Sequence, residues 1–298
     1  MYPPLTLSRF LLFIKKIRLI PAFGFSCPVF LPFVINNYVG FDGYYFIIVL
    51  AIVLANLFVF LVNDYHDSSY DFHSEEKRER NLFCTTSGYE RKLLLSGLIG
   101  IGIIPVVLGL IVSIGTGVMV VLTVSFGVVY STPPFRGKDR LVLDWLLHAI
   151  WILTTFLAAH FYLPIQSPLV FSILTITLFT FSMAIQVRQQ IRDYQQDLDT
   201  NQKTTATLLG LKKSKITSEI LNLTIIFFLF ILCFLEIYPL TIIGLTGALI
   251  VHLYSLIGSK TSWEKYSPVY KKAHAFWILF IFLDTLSLRI FTLVASTM

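Results

Sequence analysis

Nine stretches of this chain are each near the roughly 17–25 apolar residues that cross a bilayer as a helix. They fall at about 19–36, 44–62, 93–111, 115–131, 141–159, 164–187, 218–236, 239–257 and 273–295. Lipid offers no hydrogen-bond partner to a backbone, so a spanning segment must satisfy its own peptide groups, which a helix does. Only 13% of the 298 residues are charged and 56% are hydrophobic, whereas a soluble domain has about 25% charged residues. The expected fold is all-α, a polytopic membrane bundle of nine transmembrane helices forming one domain over 1–298. The first span contains Pro21, Pro28 and Pro32, which a membrane helix tolerates when neighbours satisfy the freed carbonyls.

The polar segments between the spans set the orientation. With the N-terminus inside, 22 of the 23 Lys and Arg fall on one side, leaving only Arg289 within the last span. This is the positive-inside pattern, and it places the N-terminus on the cytoplasmic side of the cell membrane and the C-terminus outside. The net charge of +6 is therefore read as topology and lipid contact rather than as a nucleic-acid surface. Residues 1–18 mix Arg9, Lys15, Lys16 and Arg18 with apolar residues and are followed by no small-residue cleavage site, so they read as an interfacial helix, not a signal peptide.

Chemistry concentrates where two spans end. From Tyr44 to Val62 no charge occurs; then come Asn63-Asp64-Tyr65-His66-Asp67-Ser68-Ser69-Tyr70-Asp71. If the helix continues, Asn63, Asp67 and Asp71 stack on one face at four-residue spacing. Stacked like charges repel by about 0.2–0.5 kcal/mol per pair on an isolated helix, and by more where the dielectric is low. A cation belongs there. After the uncharged run Pro164–Val187, Asp193-Tyr194-Gln195-Gln196-Asp197 repeats the pattern with two carboxylates on one helical face. Both clusters open on the cytoplasmic side, in motif loops of about 63–92 and 188–217. Together they are the minimal equipment for divalent ions, and Mg²⁺ suits them because it takes a few carboxylates and fills its remaining positions with water and phosphate oxygens.

These motifs resemble those of the UbiA superfamily of intramembrane prenyltransferases. Asn63-Asp64-x-x-Asp67-x-x-x-Asp71 looks like its NDxxDxxxD motif and Asp193-x-x-x-Asp197 its DxxxD motif. Thr204-Thr205-Ala206-Thr207-Leu208-Leu209-Gly210 is similar to the family segment ending in Leu-Gly, and Tyr130-Ser131-Thr132-Pro133-Pro134-Phe135-Arg136-Gly137-Lys138 to its tyrosine, double-proline and basic segment. The resemblance implies transfer of a polyprenyl group, such as geranylgeranyl, from its diphosphate to a lipophilic acceptor. Two Mg²⁺ ions are implied, one held by Asn63, Asp67 and Asp71 and the other by Asp193 and Asp197, with Asp64 in support. Arg18, Asn63, Arg136, Lys138 and Arg192 would bind the diphosphate, with Arg78 and Arg80 as weaker candidates. Tyr65, Tyr130 and Tyr194 would offer π faces to a carbocation, their alternative being the aromatic belt of any membrane protein. The implied acceptor is an aromatic quinone precursor; a glyceryl phosphate prenyl ether and a carotenoid stand as alternatives. The chain departs from the family at Arg80-Asn81-Leu82, where many members carry Arg-Pro-Leu, and at Asp199 and Asn201.

A transporter or channel is the rival class, but its carboxylates typically sit near the midplane, often in inverted repeats. Here the motifs lie at one membrane face, four helices apart, in halves that run parallel. His66 and His73 lack the partners of a zinc site. Cys27, Cys84 and Cys233 show no metal-ligand spacing and read as packing residues. Asp144, Asp284 and Arg289 are ionisable groups in or near apolar spans, without an assigned role.

Overall fold

The structure, a computed structural model, describes residues 17–36, 42–84, 86, 88–200 and 202–236, with the side chains of Glu76 and Glu236 excepted. Every regular element among these residues is helical. The spans expected at 239–257 and 273–295, with Asp284, Arg289 and the C-terminus, lie outside the described residues, as do 1–16 and Asn201. Six described helices are long and apolar enough to cross a membrane. The chain divides into two compact units, Met1–Pro164 with Gln196–Thr204 and Ile165–Gln195 with Thr205–Met298.

In the first unit the span expected at 19–36 is not one helix. It is split into α1 (Leu19–Ser26), a 3₁₀ turn (Cys27–Phe30) and α2 (Leu31–Ile35). Pro28 and Pro32 have no N–H to donate to the preceding turn and their rings clash with it, so the chain restarts at each. The carbonyls this leaves are taken by tighter i→i−3 bonds, the Cys27 N–H donating to Gly24 O and the Leu31 N–H to Pro28 O, while Ser26 Oγ donates to Ala22 O at 2.7 Å and Asn36 Nδ2 to Pro32 O at 2.8 Å.

Helix α3 (Gly43–Asp71) begins at Asp42, whose carboxylate accepts the Tyr45 N–H at 2.8 Å. It runs nine residues beyond the end of the expected span at 62, because the polar cluster stays helical after leaving the apolar layer. A short helix α4 (Glu75–Arg80), capped by Ser74, and a 3₁₀ turn (Leu82–Cys84) then lead into α5 (Gly88–Val112). Helices α6 (Ile114–Ser131) and α7 (Leu143–His160) complete the unit. Helix α3 is its centre and packs against α1, α5 and α6, while α7 packs on α6. The close approach of α6 to α3 depends on Gly127, where a Cβ would come within 2.5 Å of Val59 Cγ2. Small residues at helix crossings serve this purpose in membranes. Ile48, Ala51, Ile52, Ala55, Val120 and Ala158 form the dry centre.

The second unit holds most of α8 (Pro168–Asp199), then α9 (Thr205–Leu209) and α10 (Leu211–Glu236). Gly210 adopts φ +83°, the left-handed conformation that separates α9 from α10. Gln190 Oε1 accepts the Ala206 N–H at 3.1 Å, and Arg188 Nη2 donates to Asn222 Oδ1, which ties α8 to α9 and α10. Both α8 and α10 extend past the expected limits of 187 and 218. Charge marks where the membrane ends, not where helical hydrogen bonding ends.

Candidate active site

Helix α3 continues through Asp71, so Asn63, Asp67 and Asp71 do share one face. They occupy the last turns, where the free carbonyls already make the helix end negative. Two cations answer this accumulation, and both come from outside the helix.

Lys138 stands on a 3₁₀ turn, Gly137–Asp139, after α6. Its Nζ lies 2.5 Å from both Asp67 oxygens and donates to Asn63 Oδ1 at 3.0 Å. Arg136, just before that turn, donates from Nη2 to Asp67 Oδ1 at 3.1 Å and lies over the Tyr70 ring at 4.9 Å. Its Nε is 2.6 Å from Asp139 Oδ2. Ser131 Oγ completes the group, donating to Asn63 Oδ1 at 3.2 Å. Arg136 holds φ 38°, ψ 64°, left-handed geometry that a side chain with a Cβ enters only against resistance. The tyrosine, double-proline and basic segment thus folds back over the first motif.

Arg18 is engaged elsewhere. Its Nε and Nη2 donate to Asp64 Oδ2 and Oδ1 at 3.1 and 2.9 Å, and Asp64 is fully buried. The fork joins the start of α1 to α3 with two parallel charged hydrogen bonds. Asp71 has a different partner: Asn81 Nδ2 donates to its Oδ2 at 2.9 Å. Tyr65 carries the Arg91 guanidinium over its ring at 5.0 Å and meets Phe83 edge-on. Arg78 lies over Phe72. Tyr130 is half-buried on α6. His66 Nε2 lies 3.2 Å from Thr132 Oγ1, in a pair with no metal-ligand company.

The second motif lies within α8, and its two carboxylates share a face of that helix. Asp193 pairs with the exposed Arg192, Nε to Oδ1, at 3.0 Å. Asp197 is 5% exposed and accepts from Thr204 Oγ1 at 3.3 Å, while its backbone carbonyl accepts from Gln202 N at 2.8 Å. Tyr194 is half-buried.

The structure therefore gathers Asn63, Asp67, Arg136 and Lys138 into one cluster, sets Arg18 on Asp64, and places Arg192 beside Asp193. Among the described residues no three His, Cys, Asp or Glu side chains already converge as a ready metal cage. The donors are amide and carboxylate oxygens, the hard ligands Mg²⁺ takes a few at a time while keeping water, and a lysine ammonium already sits among them. The donor set fits that ion. Ser131 and Asn81 escaped the sequence reading. Asn81 was marked only as the residue standing where proline is common.

The model of the UbiA prenyltransferase family matches residues 25–284. Among solved structures, the chain is similar to a UbiA homolog from Archaeoglobus fulgidus bound to DMAPP and Mg²⁺, with 16% identity, a TM-score of 0.70 and coverage of 92% of this chain and 98% of that one. It is also similar to a digeranylgeranylglyceryl phosphate synthase, with 14% identity, a TM-score of 0.70 and coverage of 94% and 100%. A UbiA homolog from Aeropyrum pernix K1 matches with 12% identity, a TM-score of 0.66 and coverage of 92% and 98%. No match was found among curated proteins. At such identities the structural likeness establishes the fold, and the family model establishes membership. An acidic face at the end of a long apolar helix, neutralised by a folded-back basic segment, agrees with both: this chain belongs to the UbiA prenyltransferase family and is an integral membrane prenyltransferase.

Proposed function

We propose that the protein transfers a polyprenyl group, such as geranylgeranyl, from its allylic diphosphate to a lipophilic acceptor within the bilayer, in a Mg²⁺-dependent reaction carried by one domain over residues 1–298. The observation that carries this reading is the cluster of Asn63 and Asp67 with Lys138 and Arg136 at the end of a 29-residue apolar helix. Such a cluster binds a polyanion through cations while its helix runs on among apolar residues. Asn63, Asp67 and Asp71 would hold one Mg²⁺, and Asp193 and Asp197 a second. When bound, Mg²⁺ supplies Lewis-acid neutralisation of the departing diphosphate.

The residues of the chain do the rest. Lys138 and Arg136 contribute hydrogen-bond donors to the diphosphate oxygens, with Arg18 and Arg192 as further cations. The bond from prenyl C1 to oxygen breaks, its electron pair leaving with diphosphate. The acceptor supplies the pair for the new bond to C1 and releases a proton. Preorganised donors aimed at the developing charge act most strongly where water is excluded. Apolar helices serve that exclusion, since water would quench the cation. Tyr130, at the end of α6, and Tyr194, within the second motif on α8, are the aromatic residues for which the cation-stabilising role is retained. Tyr65 serves the same purpose only if Arg91 leaves its ring. The N-terminus and both motif loops face the cytoplasm and the C-terminus the outside.

The acceptor is an aromatic quinone precursor, such as a hydroxybenzoate or dihydroxynaphthoate, which the family uses widely. Membranes containing the protein, incubated with labelled C20 prenyl diphosphate, Mg²⁺ and each acceptor in turn, test this. A labelled aromatic product supports the reading. Label in a glyceryl phosphate ether or a carotenoid reassigns the acceptor, and substrate flux into liposomes without transfer overturns the enzyme assignment.

A further inference from the structure

Resting on the reading of Asp71 as a metal ligand, we propose that Asn81 is its positioning residue, an amide that fixes the Asp71 carboxylate for ion binding. Asn81 is 2% exposed and ends helix α4, its N–H bonded to Lys77 O at 2.9 Å. Its side chain is fully used. Nδ2 donates one hydrogen to Asp64 O at 2.7 Å and the other to Asp71 Oδ2 at 2.9 Å, and Oδ1 accepts the Phe83 N–H at 2.9 Å.

One amide thus grips the motif helix at two positions seven residues apart, about two turns, where α3 carries its acidic face. The segment bearing it is itself held down. Phe83 is 2% exposed in the cluster beside Tyr65, Cys84 Sγ donates to Ser68 O at 3.2 Å, and Arg91 Nη2 donates to Ser68 Oγ at 3.4 Å. Asp71 is the last residue of α3, where a helix frays unless tied. Of the three face residues, Asn63 and Asp67 are held by Lys138; Asp71 is oriented by Asn81 through one oxygen, which leaves the other for an ion. Proline, common at this position in the family, has neither an N–H nor a side-chain donor. In this chain the asparagine side chain reaches the third face residue directly.

The test uses the full-length protein in nanodiscs, with Mn²⁺ as the probe ion. Mn²⁺ affinity is read by electron paramagnetic resonance in the presence of geranylgeranyl diphosphate without acceptor, and thermal unfolding is recorded alongside. Partners that orient metal ligands typically change affinity 10–100-fold, so N81A is expected to weaken Mn²⁺ about tenfold. The same substitution in a D71A background should add nothing, because its effect runs through the missing carboxylate. The Mg²⁺ concentration for half-maximal transfer should rise more than kcat falls. Wild-type Mn²⁺ affinity in N81A, or an equal loss with and without Asp71, overturns the inference and leaves the metal reading standing. Wild-type affinity in D71A itself overturns both. If N81A does not purify folded, N81Q, which keeps the amide but displaces it by one methylene, takes its place with the same outcomes.

Discussion

Lys138 places its ammonium 2.5 Å from each carboxylate oxygen of Asp67, across 71 residues of sequence. The same nitrogen reaches Asn63 Oδ1 at 3.0 Å. A lysine therefore occupies the oxygens that the proposed mechanism gives to a divalent ion, and the two would compete for them. Replacing Lys138 by Met removes the competitor along with one proposed diphosphate donor. Hydrogen bonds to charged groups contribute about 1.5–3 kcal/mol, so the KM for prenyl diphosphate should rise at least about tenfold. The Mg²⁺ concentration for half-maximal rate should fall. Steady-state kinetics over a Mg²⁺ series check both; no change in either removes Lys138 from the site.

Asp64 is fully buried and its two oxygens bind the Arg18 fork. Taking away one member of a buried pair costs about 3–5 kcal/mol, since the other charge remains without compensation. R18M should lower the thermal unfolding midpoint sharply in detergent, and R18M/D64N should recover most of the loss. A kinetic measurement on the double variant separates two roles. A raised KM with restored stability would show that Arg18 also serves the diphosphate, whereas a normal KM would confine it to holding α1 against α3.

Burial pushes the Cys84 thiol up to about 11, with the neighbouring Asp71 and Asp64 carboxylates adding to the effect. A thiol with a raised pKa stays neutral longer than an ordinary one, so whatever the neutral form contributes to folding is present below 9 and is lost as pH rises through about 11. In a C27S/C233S background, the alkylation rate of Cys84 by iodoacetamide should keep climbing up to pH 11. A plateau near pH 9 would contradict the assignment.

How much of this was legible in the sequence depends on the range of the signal. Period and charge located the six long apolar helices among the described residues, because a face at four-residue spacing is a local property; Asn63, Asp67 and Asp71 fell on one side as expected. The basic residues after Pro134 were also legible as partners for an acidic face. The pairing itself was not. Arg18 and Asp64 are 46 residues apart and Lys138 and Asp67 71 apart, and nothing local says which carboxylate a given cation will reach. Asn81 was legible only as a missing proline, since its role comes from a bend that returns it to a helix it left ten residues earlier. The break of the first span at Pro28 and Pro32 was underestimated, because membrane helices sometimes bridge a proline and no sequence pattern shows when the neighbours allow it.

The most direct measurement is transfer of label from C20 prenyl diphosphate into acceptor by the purified full-length protein, with Mg²⁺ and with a chelator, for wild type, D67A and D193A. Loss of one charge-stabilising group typically costs about 10²–10³ in rate. Wild type should turn over only with Mg²⁺, and each variant should fall by about that factor while remaining folded. Wild-type transfer by both variants, or undiminished transfer under the chelator, would contradict a metal-held diphosphate as the centre of this enzyme.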